Sequence, residues 1–504
     1  MMSEKKAVDR VNLSYLRWLT GICLVIHFIF SMVGWNNSIL DHHGFRQSQT
    51  AITSYYFIKD GFRLAYETPV LGAPWSLPFE FPLYQAVVAW VAEHTGWPLD
   101  ETGRGVSLLF FYALLFVLYR LMTKISGNKL YGYLAVALTL ASPTYILWSR
   151  AFLMESTALF FCLLYLWAIV SALKDLRAGW IVLAVFAGVL GGLVKITTFV
   201  FALSIGGMLC LEWLFQKKDQ IFSRKTMTEV LLMVLYFAVI PMAAALKWTA
   251  FADAVKEQNP LGAGMTSKSL MGWNFGDLKQ RLFGEFHHVP VGVLLAGGAI
   301  VFFILFSVSG KQRKYFALFF GTFVLGPLLF SNLFLRHGYY WYANTVYLTA
   351  SLAFVFGGLL MAPKSAQLSR HILIPGLLGA MFAAYAFFVL PGEINDAGRL
   401  MVASAEIVAE HTSPNGDILC YGLGWDSSFP YYAKRRALMD DGDWDLNSPV
   451  MMEALYDTGE SRIQAIVVGP LTNKPQIYFQ KIAMKFHLTR QLILPDKSLR
   501  LFVR

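Results

Sequence analysis

The feature that most constrains this chain is the recurrence of uninterrupted apolar runs of roughly 17–22 residues. A helix of that length crosses the hydrocarbon layer of a bilayer, where only helices and closed barrels satisfy their backbone hydrogen bonds. Charged residues make up only 15% of the 504 residues, against about 25% in soluble domains. The sequence therefore predicts a multi-pass α-helical membrane protein. We predict about eleven spans, near 17–36, 104–123, 130–148, 155–173, 179–194, 196–214, 228–248, 290–309, 315–335, 341–361 and 372–391.

The connections between these spans differ in charge from one side to the other. Short connections on one side are rich in lysine and arginine, which predicts that this side is cytoplasmic and accounts for the net charge of +10 without a nucleic-acid partner. Most acidic residues lie in three long segments on the other side, 37–103, 249–289 and 392–504. We therefore expect a protein of the cytoplasmic (inner) membrane, with a cytoplasmic N-terminus and its C-terminal segment outside.

The chain is predicted to consist of two parts. Residues 1–394 carry the spans, and the stretches "AITSYYFIKDGFRL" and "FEFPLYQAVVAWVAEHTG" have the amphipathic spacing of helices that lie on the outer membrane surface. Residues 395–504 differ, because "RLMVASAEIVAEHT" predicts a helix and "GDILCYGL" and "IQAIVVGP" predict buried strands. "LILPDKSLRLFV" adds a predicted hairpin. This second part is therefore predicted to be a small extracytoplasmic α/β domain.

The candidate functional residues are polar groups at the predicted outer ends of the spans, where ionisable side chains are costly and often functional. Cations at a shared level suit a phosphate, and a carboxylate beside them suits a general base. A lipid-linked sugar phosphate needs both, because its phosphate leaves readily once stabilised whereas the attacking hydroxyl must lose a proton. The catalytic candidates are Asp41 and Glu80, and the substrate-binding candidates are His42, His43, Arg46, Gln47, Tyr84, Arg150, Glu155, Lys195, Arg336, His337 and Tyr340.

The first loop also permits structural interpretations. Asp41 could cap a helix that begins near Phe45. His42 and His43 could bind a divalent metal, but only from an irregular loop, because adjacent residues on a helix diverge by about 100°. No cofactor is firmly predicted.

The remaining candidates have structural alternatives of the same kind. Glu80 and Tyr84 are spaced to share one helical face, which would point either to the site or to water. Glu155 could complement a helix dipole, and Lys195 and Arg46 could extend their charges to the membrane interface. The residue types alone leave these alternatives open.

Several stretches, taken in order, resemble the GT-C superfamily of membrane glycosyltransferases, in its branch of protein mannosyltransferases and lipid A aminoarabinose transferase. The resemblance is carried by "LDHHGFRQSQTA" with "PFEFPLYQ", "SRAFLMESTALFF", "GGLVKITT", "RHGYYWYANTVYL" and "GDILCYGLGWDSSFPYYAKRRALM". Two departures are an Asp-His-His sequence where the family commonly has an acidic pair, and the absence of a proline after Lys195.

The resemblance implies a polyprenyl-phosphate-linked sugar donor, an acceptor on the outer face and inversion at the anomeric carbon. Asp41 matches the family's first-loop catalytic acid and would be the base. Lys195, Arg46 and His337 would hold the phosphate. The acceptor would be lipopolysaccharide, a surface glycan, a lipid or a protein.

Three other functions are compatible with a membrane protein of this composition. An O-antigen ligase or polymerase would use a diphosphate-linked glycan and would also place arginines at the outer face. A flippase or transporter of lipid-linked sugars should carry ionisable groups near the membrane midplane, often in paired halves. This sequence shows no such pairing, and its charged residues cluster at the predicted outer face. A catalytically inactive scaffold would tolerate replacement of Asp41.

Overall fold

The structure is a computed structural model that describes residues 13–175, 177–267, 310–361, 368–440 and 448–504. The described residues up to 394 form a helical bundle with two further helices between its first two spans. Its helices are α1 (Leu13–Met32), α2 (Gly44–Asp60), α3 (Leu83–Thr95), α4 (Leu99–Ser126), α5 (Lys129–Ala141), α6 (Pro143–Trp148), α7 (Glu155–Lys174), α8 (Ala178–Val194), α9 (Ile196–Gln216), α10 (Arg224–Lys256), α11 (Gly310–Leu329), α12 (Ser331–Arg336), α13 (Tyr340–Met361), α14 (Ser369–Phe388) and α15 (Leu390–Ile394).

The prediction of a multi-pass helical membrane protein is confirmed. Within the described residues, seven helices are long and apolar enough to cross a membrane, namely α1, α4, α7, α9, α10, α13 and α14. The span predicted at 130–148 is instead divided into α5 and α6, because Pro143 cannot donate a backbone hydrogen bond and Ser142 before it is extended. The span predicted at 290–309 lies outside the described residues, so the count of eleven remains a prediction.

Small residues allow the spans to approach one another closely. A Cβ added at Gly192 in α8 would lie 3.3 Å from the Cβ of Ala245 in α10, and one at Gly188 would meet Tyr165 and Pro241 at about 3 Å. Because apolar side chains gain little from leaving lipid, close backbone packing of this kind is a main source of helix association in membranes. Here it brings α8, whose last turn leads to Lys195, against the centre of the bundle.

The C-terminal part forms a five-stranded sheet, which confirms the predicted small α/β fold. Its strands are β1 (Asp417–Tyr421), β2 (Arg436–Asp440), β3 (Ile463–Val468), β4 (Arg490–Ile493) and β5 (Arg500–Val503), and their spatial order is β2-β1-β3-β5-β4. Strands β1, β2 and β3 are parallel, and β5 is antiparallel to both β3 and β4. The strand β2, "RALMD", was not predicted. The helices of this part are α16 (Arg399–His411), α17 (Ser428–Ala433), α18 (Pro449–Thr458) and α19 (Gln476–Lys485).

The first long loop joins this sheet to the bundle. The backbone N–H groups of Ala437 and Met439 donate to the carbonyls of Pro69 and Val70, 3.0 and 3.1 Å away, so the loop extends the sheet beyond β2. This pairing covers an edge strand that would otherwise present unpaired backbone groups. The C-terminal sheet is thereby fixed beside the loop that carries Asp41.

Helix α2 confirms a helix in the first loop, but its environment differs from the prediction. Its residues from Gln47 to Ser54 are all buried, and the hydroxyl of Ser48 lies 3.1 Å from that of Ser428 in α17. The helix is therefore enclosed between the bundle and the C-terminal part. The amphipathic pattern could not reveal this, because polar residues such as Gln47 are buried by specific hydrogen bonds.

Asp417, at the start of β1, provides a test of the C-terminal sheet. Burial raises the pKa of Asp417 to about 6, against the opposing charge of Arg462, whose Nε lies 2.8 Å from Asp417 Oδ2. A carboxyl group with a raised pKa stabilises the fold at low pH, and this contribution is lost as the pH rises through its folded-state pKa. We therefore expect the stability of Asp417→Asn relative to wild type to increase as the pH is raised from 4 to 8. Hydrogen exchange of the backbone amides in β1 and β3 measures this difference. An identical difference at both pH values would contradict the raised pKa.

Candidate active site

The segment after α1 is held in place by a buried arginine. The Arg104 side chain comes from the first turns of α4, and its guanidinium donates to the carbonyls of Trp35, Asn37 and Ser38 at 2.5, 2.6 and 3.0 Å. These bonds satisfy the two terminal nitrogens of the buried guanidinium, whereas its Nε has no hydrogen-bond partner among the described residues. Arg104 therefore fixes the path of the loop that ends at Asp41.

Asp41 lies at the end of this fixed segment, and its side chain is 13% exposed. Its Oδ1 accepts from the His42 backbone N–H at 2.8 Å and from Gln47 Nε2 at 2.6 Å. Its Oδ2 lies 3.4 Å from Arg104 and 3.5 Å from Arg150. Helix α2 begins at Gly44 after His43, with no side-chain cap, so the interpretation of Asp41 as a helix cap is wrong.

A carboxylate that sequence reasoning missed completes this arrangement. Glu393, in α15, is fully buried, forms an ion pair with Arg150 and lies 2.7 Å from His42 Nε2. Burial lowers the pKa of His42 despite the nearby charge of Asp41, and this imidazole faces the Glu393 carboxylate. We call Asp41, His42, Arg104, Arg150 and Glu393 the Asp41 cluster. The signal for Glu393 was an acid within one turn of the predicted span 372–391.

A second ion pair lies on the other side of α2. Arg46 pairs with Glu80 and also donates to Gln49. Burial alone would raise the pKa of Glu80, but the charges of Arg46 and Lys195 lower it overall, so Glu80 is ionised. Glu80 precedes α3 rather than lying in it, because the helix starts only at Leu83 after Pro82. The predicted helical face shared by Glu80 and Tyr84 therefore does not exist.

Lys195 occupies the junction between α8 and α9, where its extended backbone (φ −160°) interrupts the helical path. Its ammonium group pairs with Glu155, the first residue of α7, and lies 4.9 Å and 4.4 Å from the ring centroids of Tyr339 and Tyr340. Carboxylate and aromatic faces together stabilise a buried ammonium. Glu155 therefore has a buried, charged partner, which favours the functional interpretation over a simple helix-dipole role.

His43 and His337 lie where these groups meet. Their ring centroids are 5.9 Å apart, and both contact Tyr339, at 5.5 Å and 5.4 Å. Burial lowers the pKa of His337 to about 4, helped by the positive charges of Arg46 and Lys195. His337 is therefore neutral at pH 7 and offers hydrogen bonds rather than charge. We call the second set the Lys195 cluster, which consists of Arg46, Glu80, Glu155, Lys195, His337, Tyr339 and Tyr340.

Three other candidates have different environments. Gln47 supports the Asp41 cluster, because it donates to Asp41 and accepts from the Phe152 backbone N–H at 2.8 Å. Tyr84 is fully buried, and its hydroxyl lies 2.8 Å from the Gly103 carbonyl and from the Ser107 hydroxyl, so its contacts are those of a packing residue. Arg336, at the end of α12, is exposed.

The metal interpretation has little geometric support. Among the described residues, no group of three histidine, cysteine or acidic side chains is arranged to hold an ion. The two loop imidazoles point to different partners, since His42 Nε2 contacts Glu393 and His43 Nε2 accepts from the Gly338 N–H at 3.3 Å. His43 takes a left-handed backbone conformation (φ 48°), and this separates the two rings.

Comparisons with known proteins concern the sequence and the fold of the chain. Residues 102–254 match the family Dolichyl-phosphate-mannose-protein mannosyltransferase. No curated protein sequence is significantly similar to this chain.

Solved structures show the same fold over nearly the whole chain. ArnT from Cupriavidus metallidurans, bound to undecaprenyl phosphate, matches 98% of this chain and 98% of its own, with a TM-score of 0.53 and 14% identity. The oligosaccharyltransferase of Archaeoglobus fulgidus matches 88% of this chain and 69% of its own, with a TM-score of 0.54 and 11% identity. The arabinofuranosyltransferase AftD from Mycobacteria matches 92% of this chain but 35% of its own, with a TM-score of 0.50 and 15% identity.

The predicted resemblance is therefore confirmed by two independent findings, a sequence match in the spans and a shared fold. The sequence match covers α4 to α10, which contain Arg104, Arg150, Glu155 and Lys195. Residues 102–254 therefore match this mannosyltransferase family, and the fold over nearly the whole chain is similar to that of these solved structures.

Proposed function

We propose that this protein transfers a sugar from a polyprenyl-phosphate-linked donor to an acceptor at the membrane surface, with inversion and with Asp41 as the general base. Asp41 takes the proton of the acceptor hydroxyl as its oxygen attacks the anomeric carbon. The bond between that carbon and the lipid phosphate oxygen breaks, and the polyprenyl phosphate leaves with the electron pair. One displacement and one base suffice, unlike the carboxylate pair used in glycoside hydrolysis.

The observation that carries the proposal is the position of Asp41. It is partly exposed, while Gln47, Arg104 and Arg150 hold it from the buried side. A base that is fixed on one side and open on the other can approach a hydroxyl without losing its orientation. Glu80 is the second candidate, but its carboxylate is engaged by the Arg46 guanidinium.

The lipid phosphate is proposed to bind at the Lys195 cluster. Lys195 has three N–H donors, and Glu155 accepts from it. Arg46 retains a buried Nε–H without a hydrogen-bond partner in the described residues. Charged donors at one level suit a phosphate, and neutral His337 would add a hydrogen bond. The undecaprenyl phosphate in the ArnT structure supports a lipid phosphate as the ligand class.

Orientation and location follow from the charge pattern of the sequence. The basic connections would face the cytoplasm of a bacterial-type inner membrane, and both clusters and the C-terminal domain, residues 395–504, would face outward. The acceptor would be lipopolysaccharide, another surface glycan, a lipid or a protein. The paired charges of both clusters lie at the ends of the helices, which favours a surface reaction over transport through the midplane.

The test is a transfer assay with purified full-length protein. Radiolabelled polyprenyl-phosphate sugars are mixed with an extract of membrane glycolipids, and label is followed from donor to acceptor. Transfer from a monophosphate donor supports the proposal. Transfer only from a diphosphate-linked glycan would instead indicate a ligase or polymerase, and movement of intact donor between leaflets would indicate a flippase.

The phosphate site gives a separate prediction. The double variant Lys195→Met with Glu155→Gln removes both charges and leaves no buried ion unpaired, so we expect it to fold. Loss of a charged hydrogen bond should weaken binding of undecaprenyl phosphate by about 10- to 100-fold. Binding is measured by retention of radiolabelled lipid on immobilised protein.

The matched control removes an ion pair elsewhere in the bundle. Lys314 and Glu212 pair on partly exposed surfaces, and the variant Lys314→Met with Glu212→Gln should retain the lipid as wild type does. If both double variants lose lipid binding equally, or if neither loses it, Lys195 is not part of the phosphate site.

A further inference from the structure

Three aromatic side chains meet where the C-terminal part touches the first loop. Trp425, between β1 and α17, lies edge-on to Phe45, with ring centroids 4.6 Å apart at 88°. It is nearly parallel to Phe79, with centroids 6.1 Å apart at 26°. All three side chains are partly exposed. We call Phe45, Phe79 and Trp425 the aromatic platform.

The platform adjoins the candidate site. Phe79 is followed by Glu80, and the Arg46 guanidinium carbon lies 6.0 Å from the Phe79 ring centroid. The Lys256 ammonium lies 5.2 Å from the same centroid. Both cations already have a carboxylate, because Arg46 pairs with Glu80 and Lys256 lies 2.9 Å from Asp253. Neither cation beside the platform is therefore without an acid, which suits an uncharged ligand better than a second phosphate.

Carboxylates beside the rings narrow the class of ligand further. Asp426 is partly exposed next to Trp425, and its Oδ1 accepts from the Ser428 N–H at 2.8 Å. Glu80 lies beside Phe79. An isoprenoid or acyl chain over the platform would remove water from both carboxylates without offering hydrogen bonds, which is unfavourable. A sugar ring offers hydroxyl donors to the carboxylates and C–H groups to the electron-rich ring faces.

We propose that the aromatic platform is the subsite for an uncharged sugar ring of the acceptor, so that the acceptor is a glycan or glycolipid. This inference rests on the proposed function, since it names the acceptor class of that same site. All three rings lie outside the predicted spans. A surface glycan reaches that region more easily than a membrane-anchored donor does. Trp425 gives the C-terminal part a role in the reaction, because it brings one wall of the subsite to the first loop.

The test measures binding rather than turnover. Full-length protein in detergent is applied to an array of neutral surface oligosaccharides, together with isoprenoid alcohols and peptides. We expect wild type to bind a subset of the oligosaccharides. Trp425→Ala should weaken that binding by about tenfold or more, and Trp425→Phe by less, because an aromatic face remains.

A matched control and a second ligand keep the result interpretable. Trp97, between α3 and α4, is 61% exposed and lies outside both clusters, so Trp97→Ala should bind as wild type does. Trp425→Ala should still retain undecaprenyl phosphate, which shows that the protein is folded. Three outcomes would each overturn the proposed subsite. Trp425→Ala could bind glycans as well as wild type does, or wild type could prefer isoprenoids or peptides. Wild type could also bind no glycan while it still retains the lipid phosphate. Failure of wild type to retain undecaprenyl phosphate would instead count against the proposed donor.

Discussion

Replacing Asp41 with asparagine is expected to slow sugar transfer by about 10²- to 10⁴-fold, the usual contribution of a general base. Asparagine has nearly the same shape but cannot take the acceptor's proton. If Asp41 contributed only to binding, the loss would appear in the KM for the acceptor. If Asp41 is the base, its replacement should lower kcat and leave retention of undecaprenyl phosphate unchanged.

The structure predicts that this variant remains folded. Arg104 keeps its three backbone carbonyl partners, and Arg150 keeps Glu393. Neither arginine is therefore left buried without a partner when the carboxylate of Asp41 becomes an amide. A loss of activity with an unchanged thermal unfolding curve would assign the effect to chemistry.

The control is an acid of the same loop region outside the site. Asp60, at the end of α2, lies 2.9 Å from Arg436 on a partly exposed surface. Asp60→Asn should transfer sugar at close to the wild-type rate. If Asp41→Asn is also fully active, the base must be sought elsewhere, and Glu80→Gln becomes the next variant to measure.

The membrane architecture could be predicted from the sequence because the cost of unpaired backbone groups in lipid leaves few alternatives. The apolar runs correspond to helices at each predicted span within the described residues. The pattern failed at 130–148, where the run is continuous in hydropathy but Pro143 divides the helix. Length and polarity therefore located the spans, whereas local backbone chemistry decided where they end.

The partners of the polar residues could not be predicted, because pairing depends on contacts between distant segments. Arg150 and Lys195 were recognised as costly charges, but Glu393 lies far along the chain from Arg150 and was placed with the outer segment. Sequence reasoning thus missed that Arg46, Arg150 and Lys195 each form an ion pair with an acid. His337 was expected to bind phosphate, and the sequence could not reveal that burial lowers the pKa of its imidazole to about 4.

Breaking the pair between Arg150 and Glu393 is expected to destabilise the protein by about 3–5 kcal/mol, the usual cost of leaving a buried charge without its partner. Both side chains are at most 2% exposed. Glu393→Leu leaves Arg150 with Asp41 at 3.5 Å and with the carbonyls of Ser31 and Val33. Arg150→Met leaves the Glu393 carboxylate with only His42. We expect each single variant to unfold at a clearly lower temperature than wild type.

The double variant Arg150→Met with Glu393→Leu should recover much of this loss, because apolar side chains then replace both charges. The exposed pair of Asp175 and Arg177 is the control, since surface pairs contribute about 0–1 kcal/mol. If the single variants unfold at the same temperature as wild type, the pair of Arg150 and Glu393 does not stabilise the fold.

Transfer activity distinguishes stability from positioning in the same variants. The double variant removes Arg150 from Asp41 and Glu393 from His42, while Gln47 and Arg104 remain, so Asp41 is held less firmly relative to the acceptor. We therefore expect the double variant to regain thermal stability but not kcat, because a small displacement of a catalytic group costs far more in rate than in folding free energy. Recovery of both quantities would mean that Arg150 and Glu393 serve the fold alone.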